Sequence, residues 1–253
     1  MVEFLCNVKE YRFSIMKIKC VLTDSTEYRQ FNCFEDSIYT LKISRNYEYW
    51  YYDLCDLIDF YNDMDIEVIL EIDENDLLLA RSLYGNHKYN EKTLREYETD
   101  VMVHSTTKEN AKSILVDKKI KSWDLLSAEK SDWEEKPIGA KLGDIEDFSN
   151  YVMLSGVLSN NEMVTASKSN GVINTDVNQE YVAGARFYLD ARALARDGLL
   201  LRDGAHIKVR DSIDLEKYLI WYSTPQLLEI DEHTTPKKFF ELSNKRFAQI
   251  QTE

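Results

Sequence analysis

Between Asp53 and Asp76 the chain carries ten carboxylates, and no Lys or Arg interrupts them. A run this acidic folds only if its apolar residues are spaced to bury one side and leave the charges on the other. The spacing does so twice. In "YYDLCDLIDFYND", Leu54, Leu57, Ile58 and Tyr61 recur at helical intervals, which predicts an amphipathic helix with an acidic outer face. In "DIEVILEI", Ile66, Val68, Leu70 and Ile72 alternate, which predicts a strand buried on one side. "DENDLLLARSLYG" then reads as a second helix, with Asp73 or Asp76 as N-cap and Gly85 as its stop. Upstream, "FSIMKIKCVL" and "SIYTLKIS" read as strands, so residues 1–95 form an acidic, mixed α/β unit. Asp63, Asp65 and Glu67 lack the glycine and closing Glu of a calcium loop, and no metal site is expected. The run is a solvated face or a docking surface for a basic protein partner.

The whole chain shares this charge. A net −14 at pH 7 and a pI near 4.8 give non-specific nucleic-acid binding no support. No stretch of eighteen apolar residues is present, so no membrane span is expected. Charged residues interrupt the apolar part of "MVEFLCNVKEYRF", unlike a signal peptide, which points to the cytoplasm. Cys6, Cys20, Cys33 and Cys55 form no C-x-x-C pair and have no His at zinc spacing, so they read as buried, reduced thiols.

The polar stretch 85–100, "GNHKYNEKTLREYETD", holds a boundary, with His87 as an exposed loop residue, and residues 96–253 have another texture. Strand candidates are "DVMVHS", "NYVMLSG", "GARFYLD", "AHIKVRD" and "KYLIWYS", with few, short helices. Two long loop regions, 124–150 and 155–183, suggest covers over a cleft in a mainly antiparallel sheet. The fold class is therefore α+β. His206, Lys208 and Arg210 share one side of their strand, either in solvent or as a basic patch toward an anionic ligand.

At "DVMVHSTTKENAKSILVDKKIKS" a strand stops at His104-Ser105-Thr106, and Thr106-Thr107-Lys108-Glu109 reads as a capping box opening a helix on which Ala111, Ile114 and Leu115 face inward. Such a helix end presents free N–H groups suited to a phosphate or a ribose oxygen. The strand, the His, the hydroxyl residues and the helix ending in "SIL" resemble the first motif of the ADP-ribosyltransferase superfamily. Poly-ADP-ribose polymerases, DNA-modifying toxins and RNA 2′-phosphotransferases belong to it. The resemblance spans residues 98–225. It implies a split, mainly antiparallel sheet and NAD as substrate, with transfer of ADP-ribose to an unknown acceptor or hydrolysis of NAD. It places His104, with Ser105 and Thr106, on the adenosine ribose or the nicotinamide amide of NAD. Tyr151 or Tyr188 would be the ring that stacks on nicotinamide. Glu216 would be the catalytic carboxylate, with Lys217 inserted before Tyr218 and Glu162 as the other candidate. Where the family has a turn glycine, Asp117-Lys118 stands. Arg186 could hold phosphate bidentately. Cleavage of the nicotinamide–ribose bond develops positive charge on the sugar, which is why a carboxylate is needed.

Two other readings compete. His104-Ser105-Thr106 and His233-Thr234-Thr235 are both H-x-T and could pair as acid and base in a phosphoesterase. A non-catalytic interaction protein, binding through its acidic N-terminal face, is the third.

Overall fold

The computed structural model describes residues 17–35, 38–129 and 146–252. In the first unit β1 (Ile18–Thr23), β2 (Gln30–Glu35) and β3 (Ile38–Ser44) precede α1 (Trp50–Asn62), β4 (Val68–Glu71) and α2 (Glu74–Tyr84). These strands form one sheet in the order β2-β3-β1-β4. β1 runs parallel to both β3 and β4, while β2 is antiparallel to β3. Parallel strands need a crossover, and α1 carries the chain from β3 past β1 to β4. Ile18, Cys20, Leu41 and Ile43 meet Leu54, Leu57 and Ile58 of α1 in one core. Asp73 caps α2 by accepting from the Asn75 N–H, and Gly85, at φ 59°, ends it as the spacing predicts. Cys20 and Cys55 are buried free thiols and Cys33 is a half-buried one.

One expectation fails here. Asp53 and Asp56 of α1 are each only 2% exposed, so the acidic side of this helix is not an outer face. The second unit packs over it. Gly204, at φ +84°, lies so close that a Cβ would meet the Asp53 carbonyl oxygen at 2.3 Å. Covered on both flanks, the helix keeps its acids only by pairing them. Asp53 takes Arg29 (2.7 Å) and Asp56 takes Arg95 (2.5 Å).

The second unit contains β5 (Val101–Thr106), α3 (Lys108–Asp117), β6 (Lys119–Lys121) and α4 (Trp123–Glu129), then a 3-10 turn at Glu146–Asn150. It continues with β7 (Tyr151–Gly156), α5 (Glu162–Asn170), β8 (Tyr181–Val182), β9 (Ala185–Asp190), α6 (Ala191–Arg196), β10 (Leu201–Arg202) and β11 (Ile207–Arg210). The last elements are β12 (Ser212–Asp214), α7 (Leu215–Tyr218), β13 (Leu219–Ser223), β14 (His233–Thr234) and α8 (Pro236–Ile250). Six strands form a sheet in the order β10-β11-β7-β5-β9-β13, every neighbour antiparallel. Two small ribbons, β12-β6 and β14-β8, flank it. One sheet face packs Met102, Leu154, Phe187 and Leu189 against Ile114 of α3 and Leu194 of α6. The other packs Val103 and Tyr188 against Phe247 of α8. The class is α+β, as the residue patterns indicate.

β5 and β7 pair over only two residues, Met102↔Gly156 and Val103↔Ser155. Beyond them the sheet is split. The 124–150 loop region is described only in part: it contains α4 and the 3-10 turn, and the rest lies outside the described residues. The 155–183 region is no cover without structure, because α5 fills part of it. Among the described residues no helix is long and apolar enough to cross a membrane, and no group of three His, Cys, Asp or Glu could hold a metal ion.

Candidate functional site

The split is where the chain opens. A cleft of about 1110 Å³ runs from the end of β5, along β7 and α5, to the junction with the first unit. His104 sits in the gap left by the lost strand pairing. Its Nδ1 lies 3.1 Å from the Met153 carbonyl oxygen, so Nδ1 carries the proton and donates, and Nε2 is left as an acceptor. Burial away from water, with the charge of Lys168 adding to it, pushes the His104 pKa down to about 4 against the pull of the Met153 carbonyl. The imidazole is therefore neutral at pH 7 with a fixed tautomer.

Around it the cleft is lined by hydroxyl, amide and ammonium groups: Thr106, Ser155, Asn161, Thr165 and Lys168. Asn161 Nδ2 donates to Ser155 Oγ at 2.5 Å, tying the start of α5 to β7. The helix after His104 begins one residue later than the capping box predicts. Strand pairing carries through Thr106↔Ala185, so the first residue free to cap is Thr107, which accepts from the Asn110 N–H. Gly184 fits against this junction: a Cβ there would stand 2.1 Å from the Thr106 carbonyl oxygen and 2.6 Å from the Lys108 nitrogen.

The other predicted residues fall in three places. Tyr151 lines the cleft, but at its junction end, with its hydroxyl accepting from Arg210 at 2.9 Å and its ring 4.4 Å from Lys208 Nζ. Ser105, Arg186 and Tyr188 belong to the sheet face opposite His104, since Ser105 pairs with Arg186 and Val103 with Tyr188. There Ser105 Oγ donates to Glu162 at 2.5 Å, Tyr181 donates to it at 3.0 Å and Arg186 approaches it at 3.5 Å. Glu162 is fully buried, and burial raises its pKa against the opposing pull of Arg186, Ser105 and Tyr181. Arg186 also donates to the Val157 and Ser159 carbonyls, so its guanidinium is committed inside the protein. Tyr188 has no exposed surface; it stacks on Phe247 at 4.2 Å and donates to Asn244 at 2.8 Å. Neither Arg186 nor Tyr188 lines the cleft.

Glu216 lies apart from both groups. It is not on a strand, because Asp214 caps a one-turn helix at Leu215–Tyr218 by accepting from the Glu216 N–H. Its carboxylate pairs with Lys118 on the surface, with 65% of the side chain exposed. His233 is exposed on β14 and likewise does not line the cleft, so the two H-x-T segments do not face one another across it. Of the predicted strand side His206, Lys208 and Arg210, only Arg210 is solvent-facing, and His206 is half-buried. Lys208 is fully buried between Phe60 and Tyr151 (4.1 and 4.4 Å) and is neutralised by Asp203. The Asp203 carboxyl is held far below the usual range: burial alone would raise it, and His206 and Lys208 outweigh that.

No family model, curated protein or solved structure matches this chain. Geometry is therefore the guide to its chemistry. Asn161, Thr165 and Lys168 escape sequence reading because α5 buries Glu162, Thr165, Ala166 and Ser167, a polar set with no apolar stripe to announce a helix.

Proposed function

We propose that the cleft binds NAD or a closely related dinucleotide, in the manner of the ADP-ribosyltransferase-like proteins that the His104 segment resembles. One observation carries the reading. A neutral imidazole of fixed tautomer occupies the point where β5 and β7 part, inside a cleft of about 1110 Å³, slightly larger than the usual small-molecule site and roomy enough for a dinucleotide. Nε2 of His104 accepts a hydrogen bond from a ribose hydroxyl or the carboxamide, and Thr106, Asn161 and Lys168 supply polar contacts along the diphosphate.

Transfer of ADP-ribose needs a negative group beside the sugar. Glu216 is paired with Lys118 on the surface, and Glu162 lies beneath the cleft with its oxygens bonded to Ser105, Tyr181 and Arg186. This favours a second reading, in which the dinucleotide is bound and not cleaved. Calorimetry with NAD, together with an assay for free nicotinamide, decides between them. We expect saturable NAD binding that His104→Ala weakens at least about tenfold. Free nicotinamide would establish the transferase or glycohydrolase form, and binding without it the non-catalytic form. Absence of NAD binding by the wild-type protein rejects both. The acidic residues that stay exposed, Asp63, Asp65, Glu67, Glu71, Asp73 and Glu74, are what remains of a face for a basic protein partner.

A further inference from the structure

The cleft does not end at the second unit. Its far lobe is walled by Arg29 and Gln30 at the start of β2, together with Tyr97 and His206. Arg29 is held in place from three sides. Its Nε and Nη2 donate to Asp53 at 3.1 and 2.7 Å, and its guanidinium lies 4.3 Å from the Tyr47 ring and 4.9 Å from the Tyr97 ring. Nη1 has no partner among the described residues, and 35% of the side chain is exposed. Gln30 donates from Nε2 to the Ala205 carbonyl at 3.0 Å, while its Oε1 is buried with no donor among the described residues. A buried acceptor left unpaired is costly and calls for a donor from elsewhere. His206 stands edge-on to Phe148 at 4.9 Å with its Nδ1 toward Asp203, and 28% of its side chain faces out.

The inward-facing charges of this lobe already cancel. Asp53 is bonded to Arg29, Glu98 to Arg202 at 2.5 Å, and Asp203 to Lys208. What remains for a ligand is the free edge of one guanidinium, one imidazole and one amide oxygen. We infer that this junction lobe is a subsite for a sugar phosphate: its oxyanion is held by Arg29 Nη1, one of its hydroxyls donates to His206 Nε2, left an acceptor because Nδ1–H faces Asp203, and another donates to Gln30 Oε1. Arg29 is suited to the role because Asp53 and two tyrosine rings fix its fork before any ligand arrives, so little freedom is lost on binding. The subsite rests on reading the cleft as a nucleotide site, and it places a second, phosphorylated ligand or the distal half of a long one at the junction.

The test is titration of the intact protein with ribose 5-phosphate, followed by calorimetry and by imidazole NMR of the four histidines. We expect a saturable shift of the His206 resonances, with those of His87 and His233 unmoved. Arg29→Lys keeps a cation on Asp53 but removes the free N–H; loss of one charge-assisted hydrogen bond should weaken binding about tenfold. Gln30→Ala should weaken ribose 5-phosphate and leave inorganic phosphate unchanged, which separates the sugar contact from the phosphate contact. Retention of ribose 5-phosphate binding in His104→Ala separates this subsite from the dinucleotide reading, whose own test is NAD. No shift at His206, or a shift unaltered in both Arg29→Lys and Gln30→Ala, overturns the inference, as does loss of binding in His104→Ala.

Discussion

His104 is a half-buried base held below its ordinary range, and its effect on stability has a definite sign. Its folded pKa, near 4, lies below the ordinary value of 6.5, so between these pH values the unfolded chain binds more protons than the folded one. Its contribution is complete above pH 6.5 and is lost as the pH falls toward 4. Urea midpoints recorded from pH 7 to pH 4 should therefore fall more steeply for the wild type than for His104→Gln. Long-range ¹⁵N correlations should show an Nδ1–H tautomer throughout the neutral range. The two glutamates named from the sequence should behave oppositely. Glu216→Gln removes an exposed contact and should leave stability within about 0.5 kcal/mol. Glu162→Ala strands Arg186, which has no exposed surface, and should cost roughly 3–5 kcal/mol in chemical denaturation. Sequence reading puts Glu216 ahead of Glu162, the reverse of their burial, since a carboxylate looks alike whether its neighbours are water or a buried guanidinium.

Elements were more legible than site residues wherever periodicity or a cap announced them. The strands at β1, β3, β5, β7, β9, β11 and β13 follow their apolar runs, and α2 stops at Gly85 as its pattern predicts. β2 did not announce itself, because Phe31 is 52% exposed and gives no buried stripe. α8 went unrecognised although Thr235 caps it and Pro236 opens it, because its buried positions mix Ser243 with Phe239 and Phe247. The start of α3 carries its own prediction. Gly184→Ala must displace backbone at Thr106–Lys108, not merely a flexible side chain, so the strand–helix junction has to move. We expect it to destabilise the fold by several kcal/mol, as overpacking and backbone strain do, and to weaken NAD binding beyond any loss in Gly171→Ala. Gly171 ends α5 at φ 68°, and an added methyl there would meet nothing within 4 Å, so that control reports only the cost of the left-handed conformation.

At the scale of the molecule, the segment connecting the two units is pinned to each of them by buried charge. Arg95 with Asp56 and Arg202 with Glu98 are ion pairs in which each side chain is at most 2% exposed. A division after residue 95 leaves both of these pairs intact, but it parts Gln30 from the Ala205 carbonyl, Tyr52 from Glu96, and Phe60 from Lys208 and Tyr151. We expect residues 96–253 expressed alone to lack the dispersed NMR spectrum of a native fold, because Lys208 and Tyr151 lose the cover of Phe60. Co-expression with residues 1–95 should restore it. The composition makes the chain acidic, but it does not reveal that its acids are partly interior, since pairing over such separations leaves no local pattern. The order of these partners also bears on biosynthesis. Asp56 leaves the ribosome before Arg95, and Glu98 precedes Arg202 by 104 residues, roughly 5–20 s of elongation. Through that interval the emerging chain holds carboxylates whose counter-ions have not been made, so they stay hydrated until translation reaches Arg95 and Arg202.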